Sequence, residues 1–172
     1  YSFTGNSLRM KGTPITLNDM GSPSFIARRQ EHINFSASSK ILLQNAKTQD
    51  EAGITVYMDS HSHYDLLVKG GKNDHQTIVL RYRLGELTHV EKEVSIVRGN
   101  IILQVKGNNN FYSFGYSTDG SSFRELGRMD AKYLSSETAG GFTGIVLGLY
   151  ATTGSKESKA RADFYYFDYK GE

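Results

Sequence analysis

Two histidines separated by one residue stand in the segment Met58-Asp59-Ser60-His61-Ser62-His63-Tyr64. Side chains at positions i and i+2 of a strand point to one face, so His61 and His63 on a strand would be placed to share a zinc ion. A third ligand would have to come from Asp59, Asp65 or elsewhere, and nothing in the spacing selects one. Asp and Ser are ordinary turn residues, so the alternative is a polar turn between two strands. The sequence favours the turn.

One acidic residue lies inside the last aromatic segment, Ala162-Asp163-Phe164-Tyr165-Tyr166-Phe167. A carboxylate in such a strand must be paired with a base, bound to a metal ion or placed at the sheet surface. We expect an ion pair between Asp163 and Arg28, Arg29 or Arg161. A structural calcium ion is the alternative, and no other cofactor is indicated.

A catalytic centre is not recognisable in the sequence. Glycoside hydrolysis needs two carboxylates at a set separation, but most acidic residues lie in or near turn-forming segments. The chain has no nucleophile elbow, phosphate loop or dinucleotide fingerprint. It also has no cysteine, which excludes disulfides and thiolate metal sites. We therefore predict that this chain alone lacks catalytic residues.

The charge pattern argues against two classes of partner. Twenty basic and eighteen acidic residues give a formal net charge of +2, without a long run of either sign. A nucleic-acid binder usually carries a basic stripe. The nearest approach to one here is Arg28-Arg29, which is two residues long and typical of a strand surface. No apolar segment approaches the ~20 residues of a membrane-spanning helix. We expect neither nucleic acid nor a membrane as partner.

Aromatic residues are plentiful, with eleven Tyr and nine Phe but no Trp. A sugar-binding sandwich stacks exposed rings on sugars and holds the hydroxyls with amide, acidic and basic side chains. The candidates for such a face are Tyr57, Tyr64, Tyr82, Tyr112 and Tyr116 with Asn108, Asn109 and Asn110. Packing in a hydrophobic core is the alternative, and it explains most of these rings better.

The elements that would position these residues are short strands. Ile101, Leu103 and Val105 alternate with polar residues, as a strand with one buried face requires. Strands are predicted near 7–10, 24–30, 33–43, 52–58, 64–69, 77–84, 87–94, 101–107, 110–117, 123–129, 144–151 and 161–169. Within 130–136, Asp130 is placed to cap a single helical turn. A dozen strands without alternating helices predict one all-β domain over residues 1–172, a two-sheet antiparallel β-sandwich of jelly-roll type.

An unusual loop precedes the apolar strand that begins near Ile145. Its sequence, Gly140-Gly141-Phe142-Thr143-Gly144, places one bulky ring among three glycines. Glycine frees the backbone from normal steric limits, so the loop can be tight and irregular. Phe142 is either a plug for the domain's own core or a ring that points toward another partner.

The sequence resembles the C-terminal domain of family 43 β-xylosidases. The resemblance runs in order over essentially the whole chain, although no single motif in it is catalytic. It rests on Ser7–Gly12, Pro23–His32, Ala52–Tyr57, Phe111–Phe114 with Asp119-Gly120, Gly141–Gly144 with Gly148–Tyr150, and Ala162–Phe167. The segment Ser155–Lys159 departs from the usual pattern in composition.

The resemblance implies a concanavalin A-like sandwich that packs on a five-bladed propeller carrying the catalytic carboxylates. We expect that propeller to precede Tyr1 in a longer polypeptide. In the family, one loop of the sandwich closes a side of the active-site pocket with an aromatic ring. Phe142 best matches that ring, with Gly140, Gly141, Thr143 and Gly144 forming the rest of the loop.

Two functions follow as expectations. The first is an accessory domain of a glycosidase that acts on xylo- or arabino-oligosaccharides, helping to close the pocket. The second is an independent carbohydrate-binding module that targets a plant polysaccharide. They differ in whether the chain alone binds sugars through an aromatic face.

Overall fold

The computed structural model describes residues 1–140 and 144–172. Phe142, with its neighbours Gly141 and Thr143, lies outside the described residues. The strands are β1 (Ser2–Thr4), β2 (Ser7–Met10), β3 (Ser24–Arg29), β4 (Phe35–Gln44), β5 (Glu51–Asp59), β6 (Ser62–Gly70), β7 (His75–Leu84), β8 (Leu87–Val97), β9 (Ile101–Gly107), β10 (Phe111–Ser117), β11 (Arg124–Asp130), β12 (Val146–Thr152) and β13 (Arg161–Gly171).

These strands form two antiparallel sheets. The order is β1-β2-β13-β4-β9-β10-β11 in the seven-stranded sheet and β3-β12-β5-β6-β7-β8 in the six-stranded sheet. The predicted all-β sandwich is confirmed, and each predicted strand has a counterpart. The three-residue edge strand β1 was not predicted, because a short exposed segment carries no alternation.

Among the described residues, helical structure is confined to two short turns before the glycine-rich loop. A 3₁₀ turn spans Ala131–Leu134, and the Asp130 carboxylate accepts a hydrogen bond from the Lys132 backbone N–H at its start. The predicted cap is therefore confirmed. One turn of α-helix, α1, follows at Ser136–Ala139. In the part of the chain that the structure describes, no helix has the length and apolarity to cross a bilayer.

The core lies between the inner faces of the two sheets. Ile101, Leu103 and Val105 are all buried, which confirms the face predicted from their alternation. The strand β4 alternates between buried and partly exposed residues along its whole length. Burial of this kind of apolar surface, worth ~25 cal/mol per Å², is the main stabilising contribution to such a sandwich.

The outer face of the six-stranded sheet has a second, smaller core. Leu17 packs against Leu67 and Tyr150 of that face. An ideal Cβ at Gly148 would overlap the ring of Phe25, so glycine there lets the ring lie flat against the sheet. The segment around Leu17, which joins β2 to β3, therefore covers β5 and β6 from outside and makes β6 buried on both faces.

Candidate functional site

A group of charged side chains is buried on the covered outer face of the six-stranded sheet. Cross-strand pairing sets Thr55 of β5 beside Asp65 of β6, and Asp65 beside Arg81 of β7. The Arg81 guanidinium donates to an Asp65 oxygen at 3.1 Å and contacts a Glu51 oxygen at 2.6 Å. Thr55 donates to the other Asp65 oxygen at 2.8 Å. One arginine thus bridges two carboxylates that are shielded from water.

His63 completes this group. Its Nδ1 lies 2.9 Å from an Asp65 oxygen, and its Nε2 lies 3.0 Å from the side-chain oxygen of Asn18. Both ring nitrogens therefore face oxygen atoms, an arrangement that a protonated imidazole satisfies with two N–H donors. Asn18 belongs to the covering segment, so this contact ties that segment to the sheet. We call Glu51, His63, Asp65 and Arg81 the charged cluster.

Electrostatics in the charged cluster favour the ionised carboxylate. Burial on its own raises the pKa of Asp65, but the charges of His63 and Arg81 and the hydrogen bonds from His63 and Thr55 outweigh it and bring the pKa to about 2. Two carboxylate charges raise the pKa of Arg81 despite its desolvation. Asp65 and Arg81, held in their charged forms in this way, do not exchange protons near neutral pH, so this ion pair suits structure rather than acid–base chemistry.

The two histidines of the sequence motif are not brought together as ligands. His61 lies in the exposed turn between β5 and β6, where its backbone N–H donates to Asp59 and its Nδ1 lies 3.1 Å from the Ser60 hydroxyl. The turn interpretation is confirmed for His61, whereas His63 belongs to β6. Over residues 1–140 and 144–172, no cluster of three or more His, Asp and Glu side chains is arranged to hold a metal ion.

Asp163 is satisfied by a base, although not by one of the three that the sequence indicated. Its two oxygens accept from Arg9 at 2.6 and 2.8 Å, in a forked geometry on the outer face of the seven-stranded sheet. Arg161 instead donates to Gln44, and Arg28 pairs with Glu31. The expected partners were wrong because β2, which carries Arg9, pairs with β13 across 154 residues.

Three of the candidate rings for an aromatic sugar face lie in the core instead. Tyr64, Tyr112 and Tyr116 are buried in the core between the sheets, since they lie on the inward side of their strands. Tyr57 stacks on His63 beneath the covering segment. Asn108 caps a turn, its side-chain oxygen accepting from the backbone N–H of Asn110. Core packing, the alternative interpretation, is confirmed for the three buried rings.

Both ends of the glycine-rich loop are described, although its centre is not. Gly140 ends α1 with a φ of 78°, a left-handed conformation that favours glycine. An ideal Cβ at Gly144 would overlap the Arg29 guanidinium, so a side chain there would displace that arginine. Ile145 then accepts a hydrogen bond from the Gln30 N–H at 3.0 Å. The chain after the loop therefore rejoins the sandwich beside Gln30.

Comparison with known proteins decides the family. Residues 1–170 match the family described as "Beta xylosidase C-terminal Concanavalin A-like domain". The chain belongs to this family. It is 32% identical to a non-reducing end alpha-L-arabinofuranosidase of Bacteroides ovatus over 164 residues, covering 95% of this chain and 31% of that protein. It is 27% identical to a xylosidase/arabinosidase of Butyrivibrio fibrisolvens, covering 97% of this chain and 32% of the relative.

Solved structures agree with this assignment of a family 43 C-terminal domain. The Bacteroides ovatus GH43B structure superposes with a TM-score of 0.85 at 32% identity, covering 96% of this chain and 33% of that chain. A Bacillus licheniformis GH43 protein has the same fold, with a TM-score of 0.89 at 24% identity and 33% of its length covered. The chain thus spans about a third of the length of these relatives and corresponds to the C-terminal domain of family 43 glycosidases.

Sequence reasoning missed the charged cluster, although a signal for it was present. His63 and Asp65 alternate with apolar residues along one strand, and Arg81 and Arg83 do so along the next. Charges that recur every second residue on adjacent strands share one face of a sheet. The sequence does not show that this face is covered, and the cover is what makes the cluster buried.

Proposed function

We propose that the chain is an accessory domain of a family 43 glycosidase that acts on xylo- or arabino-oligosaccharides, and that it packs on a catalytic five-bladed propeller of the same polypeptide. The observation that supports this most is the coverage. The match runs from end to end of this chain, yet it covers only 31% of the arabinofuranosidase and 32% of the xylosidase/arabinosidase. The other two thirds of such proteins would hold the catalytic carboxylates.

The surface offers apolar side chains for such packing. Tyr1 precedes the edge strand β1, and Phe3 lies within it. These two residues are 82% and 81% exposed. Pro23 and Phe25 lie beside Tyr1 in a shallow depression. Exposed apolar residues gathered at one edge are typical of a protein contact. This edge is our candidate for the contact with the propeller.

Closure of the substrate pocket by Phe142 is the finer part of the proposal. The ring would exclude water and hold the bound sugar without taking part in the chemistry. Two features of the flanks support a projecting loop: Gly140 permits the sharp exit from α1, and Gly144 rests against Arg29. Gly141 and Thr143 complete the loop in the sequence.

The experiment compares Phe142→Ala with Leu87→Ala in the full-length enzyme. Leu87 is an exposed apolar residue of β8, so its truncation controls for loss of surface area. We expect Phe142→Ala to lower kcat/KM for an aryl xyloside or arabinoside by about tenfold or more, equivalent to ~1.4 kcal/mol, and Leu87→Ala to leave it unchanged. A loss of ~3–5 kcal/mol of unfolding free energy in the 172-residue chain would instead identify Phe142 as a core residue.

A further inference from the structure

A cleft opens between the two sheets on the side where both of them end. The strands there are β8, the terminal strand of the six-stranded sheet, and β11, the terminal strand of the seven-stranded sheet. The sheets come close at Gly127 of β11, where an ideal Cβ would lie 3.0 Å from the Leu80 side chain and 3.5 Å from that of Glu91. Beside this contact lies a cleft of about 460 Å³. Small-molecule sites have volumes of ~300–1,000 Å³.

Aromatic and apolar side chains form most of the wall of this cleft. Tyr82 of β7 and Tyr133 of the 3₁₀ turn contribute rings, and Met129 of β11 contributes a flexible apolar side chain. Tyr82 is held edge-on against the buried Tyr64, with ring centroids 6.5 Å apart. Tyr133 is 40% exposed. We call Tyr82, Glu91, Arg128, Met129 and Tyr133 the edge cleft.

Polar side chains of β8 face the other sheet at this cleft. Farther along the strand, Val94 and Ile96 pack against the core. On the other side of the register shift between β7 and β8, Glu91 lines the cleft and the His89 ring packs against Tyr82, with centroids 5.3 Å apart. A strand face turned toward a second sheet is ordinarily apolar, and polar residues there indicate a function. This half of β8 is therefore not built to close the sandwich.

Basic groups at the edge cleft are already paired with acids. Arg128 donates to both oxygens of Glu125, at 2.9 and 3.2 Å. The Lys132 ammonium lies 3.0 Å from an Asp130 oxygen and 4.9 Å from the centre of the Tyr133 ring. A guanidinium has five N–H donors, so Arg128 keeps donors free after it pairs with Glu125. These bases therefore add hydrogen-bond donors to the cleft but little net charge.

Glu91 is less well paired. Its ion-pair contact in the described part of the chain is the His89 Nε2 at 3.7 Å, which is longer than a hydrogen bond. An apolar ligand would cover this carboxylate without satisfying it, which is costly. A cation would meet the Arg128 guanidinium and the Lys132 ammonium beside it. A ligand with apolar ring faces and hydroxyl groups around its edge satisfies the rings, the acceptor and the donors together.

We propose that the edge cleft binds a neutral saccharide. Hydroxyl groups of the sugar donate to Glu91 and accept from Arg128, and the C–H face of the sugar ring packs on Tyr82 and Tyr133. The site uses neither Phe142 nor a catalytic domain, so it is separate from the pocket-closing function and goes beyond it.

Calorimetric and NMR titrations of the 172-residue chain test this site. The probes are xylotriose, arabinotriose and cellotriose, with choline as a cationic comparison and hexanol as an apolar one. Tyr133→Ala removes an aromatic wall and Glu91→Ala removes the acceptor. Tyr166→Ala is the matched control for the first, because Tyr166 is also 40% exposed but lies on β13, four strands from β11. Glu93→Ala is the control for the second, because Glu93 is exposed on the same strand outside the cleft.

We expect at least one of the three saccharides to bind with a millimolar dissociation constant and to shift the backbone amide resonances of Gly127 and Arg128. Each cleft variant should weaken this binding by about tenfold, the size expected for a lost aromatic contact or a lost hydrogen bond to a charged group. Each control should leave the binding unchanged. Circular dichroism and thermal melting verify that every variant is folded.

Three results would overturn the proposal. The first is that no saccharide binds at millimolar concentration, or that only choline or hexanol shifts those resonances. The second is that the two folded cleft variants bind as tightly as the unchanged chain. The third is that the controls weaken binding as much as the cleft variants do. None of these results bears on hydrolysis by the full-length enzyme, so this proposal and the accessory function fail independently.

Discussion

Three arginine–carboxylate pairs of graded burial allow a quantitative prediction about stability. The side chain of Asp65 is fully buried against Arg81, that of Asp163 is 6% exposed against Arg9, and that of Glu125 is 51% exposed against Arg128. Truncating the acid removes a carboxylate partner of the arginine. The free-energy cost depends mainly on how well water can replace that partner.

The expected costs follow this order. Asp65→Ala should lower the unfolding free energy by ~3–5 kcal/mol, since it removes the acceptor for Thr55, His63 and Arg81 at once. Asp163→Ala should cost about 1–3 kcal/mol. Glu125→Ala should cost ~0.2–1 kcal/mol, because water solvates the exposed Arg128 guanidinium in the variant.

Urea denaturation followed by circular dichroism measures these costs, and thermal melting checks them. For a chain of this size, 1 kcal/mol corresponds to about 2–4 °C in Tm, so Asp65→Ala should lower Tm by roughly 6–20 °C. A loss below ~1 kcal/mol for Asp65→Ala, or a larger loss for Glu125→Ala, would refute the reasoning from burial.

The remaining predictions concern pH, one loop and activity. The pKa of Asp65 is lowered to about 2 from an ordinary 3.8. This shift contributes ~2 kcal/mol to the free energy of unfolding above pH 4, and the contribution is lost as the pH falls through 2. Asp65→Asn should flatten that part of the stability–pH profile. Asp50→Ala should cost about 2–3 kcal/mol and increase amide exchange at Gly154, because Asp50 accepts from the backbone N–H groups of Lys47 and Gly154 and from the Ser158 hydroxyl. The purified 172-residue chain should release no product from aryl xylosides or arabinosides, and measurable release would contradict our interpretation that it lacks a catalytic pair.

The fold was predictable because its main signal is local. Alternation along β9 and β10 places Leu103 and Phe114 in the core, and the structure buries both. The Asp119-Gly120 turn predicts the connection after β10, where Gly120 adopts a φ of 81°. Signals of this kind depend on neighbours a few residues apart, so they do not require knowledge of the partner sheet.

The polar sites were less predictable because they depend on contacts between distant segments. Asp163 contacts Arg9 only because β2 pairs with β13. His63 contacts Asn18 only because the segment before β3 folds over the six-stranded sheet. A period of two shows which residues share a face, but it does not show whether that face will be covered.

The buried carboxylates also bear on how this domain would contribute to hydrolysis. An acid–base pair needs a carboxyl group whose proton can leave and return near the working pH, which usually means a raised pKa. The charged cluster does the reverse, since its bases bring the pKa of Asp65 to about 2. Asp163 and Asp50 likewise use their oxygens to hold strands and loops together. We therefore expect these carboxylates to serve the fold of the domain, and we expect any contribution of the domain to hydrolysis to come through positioning.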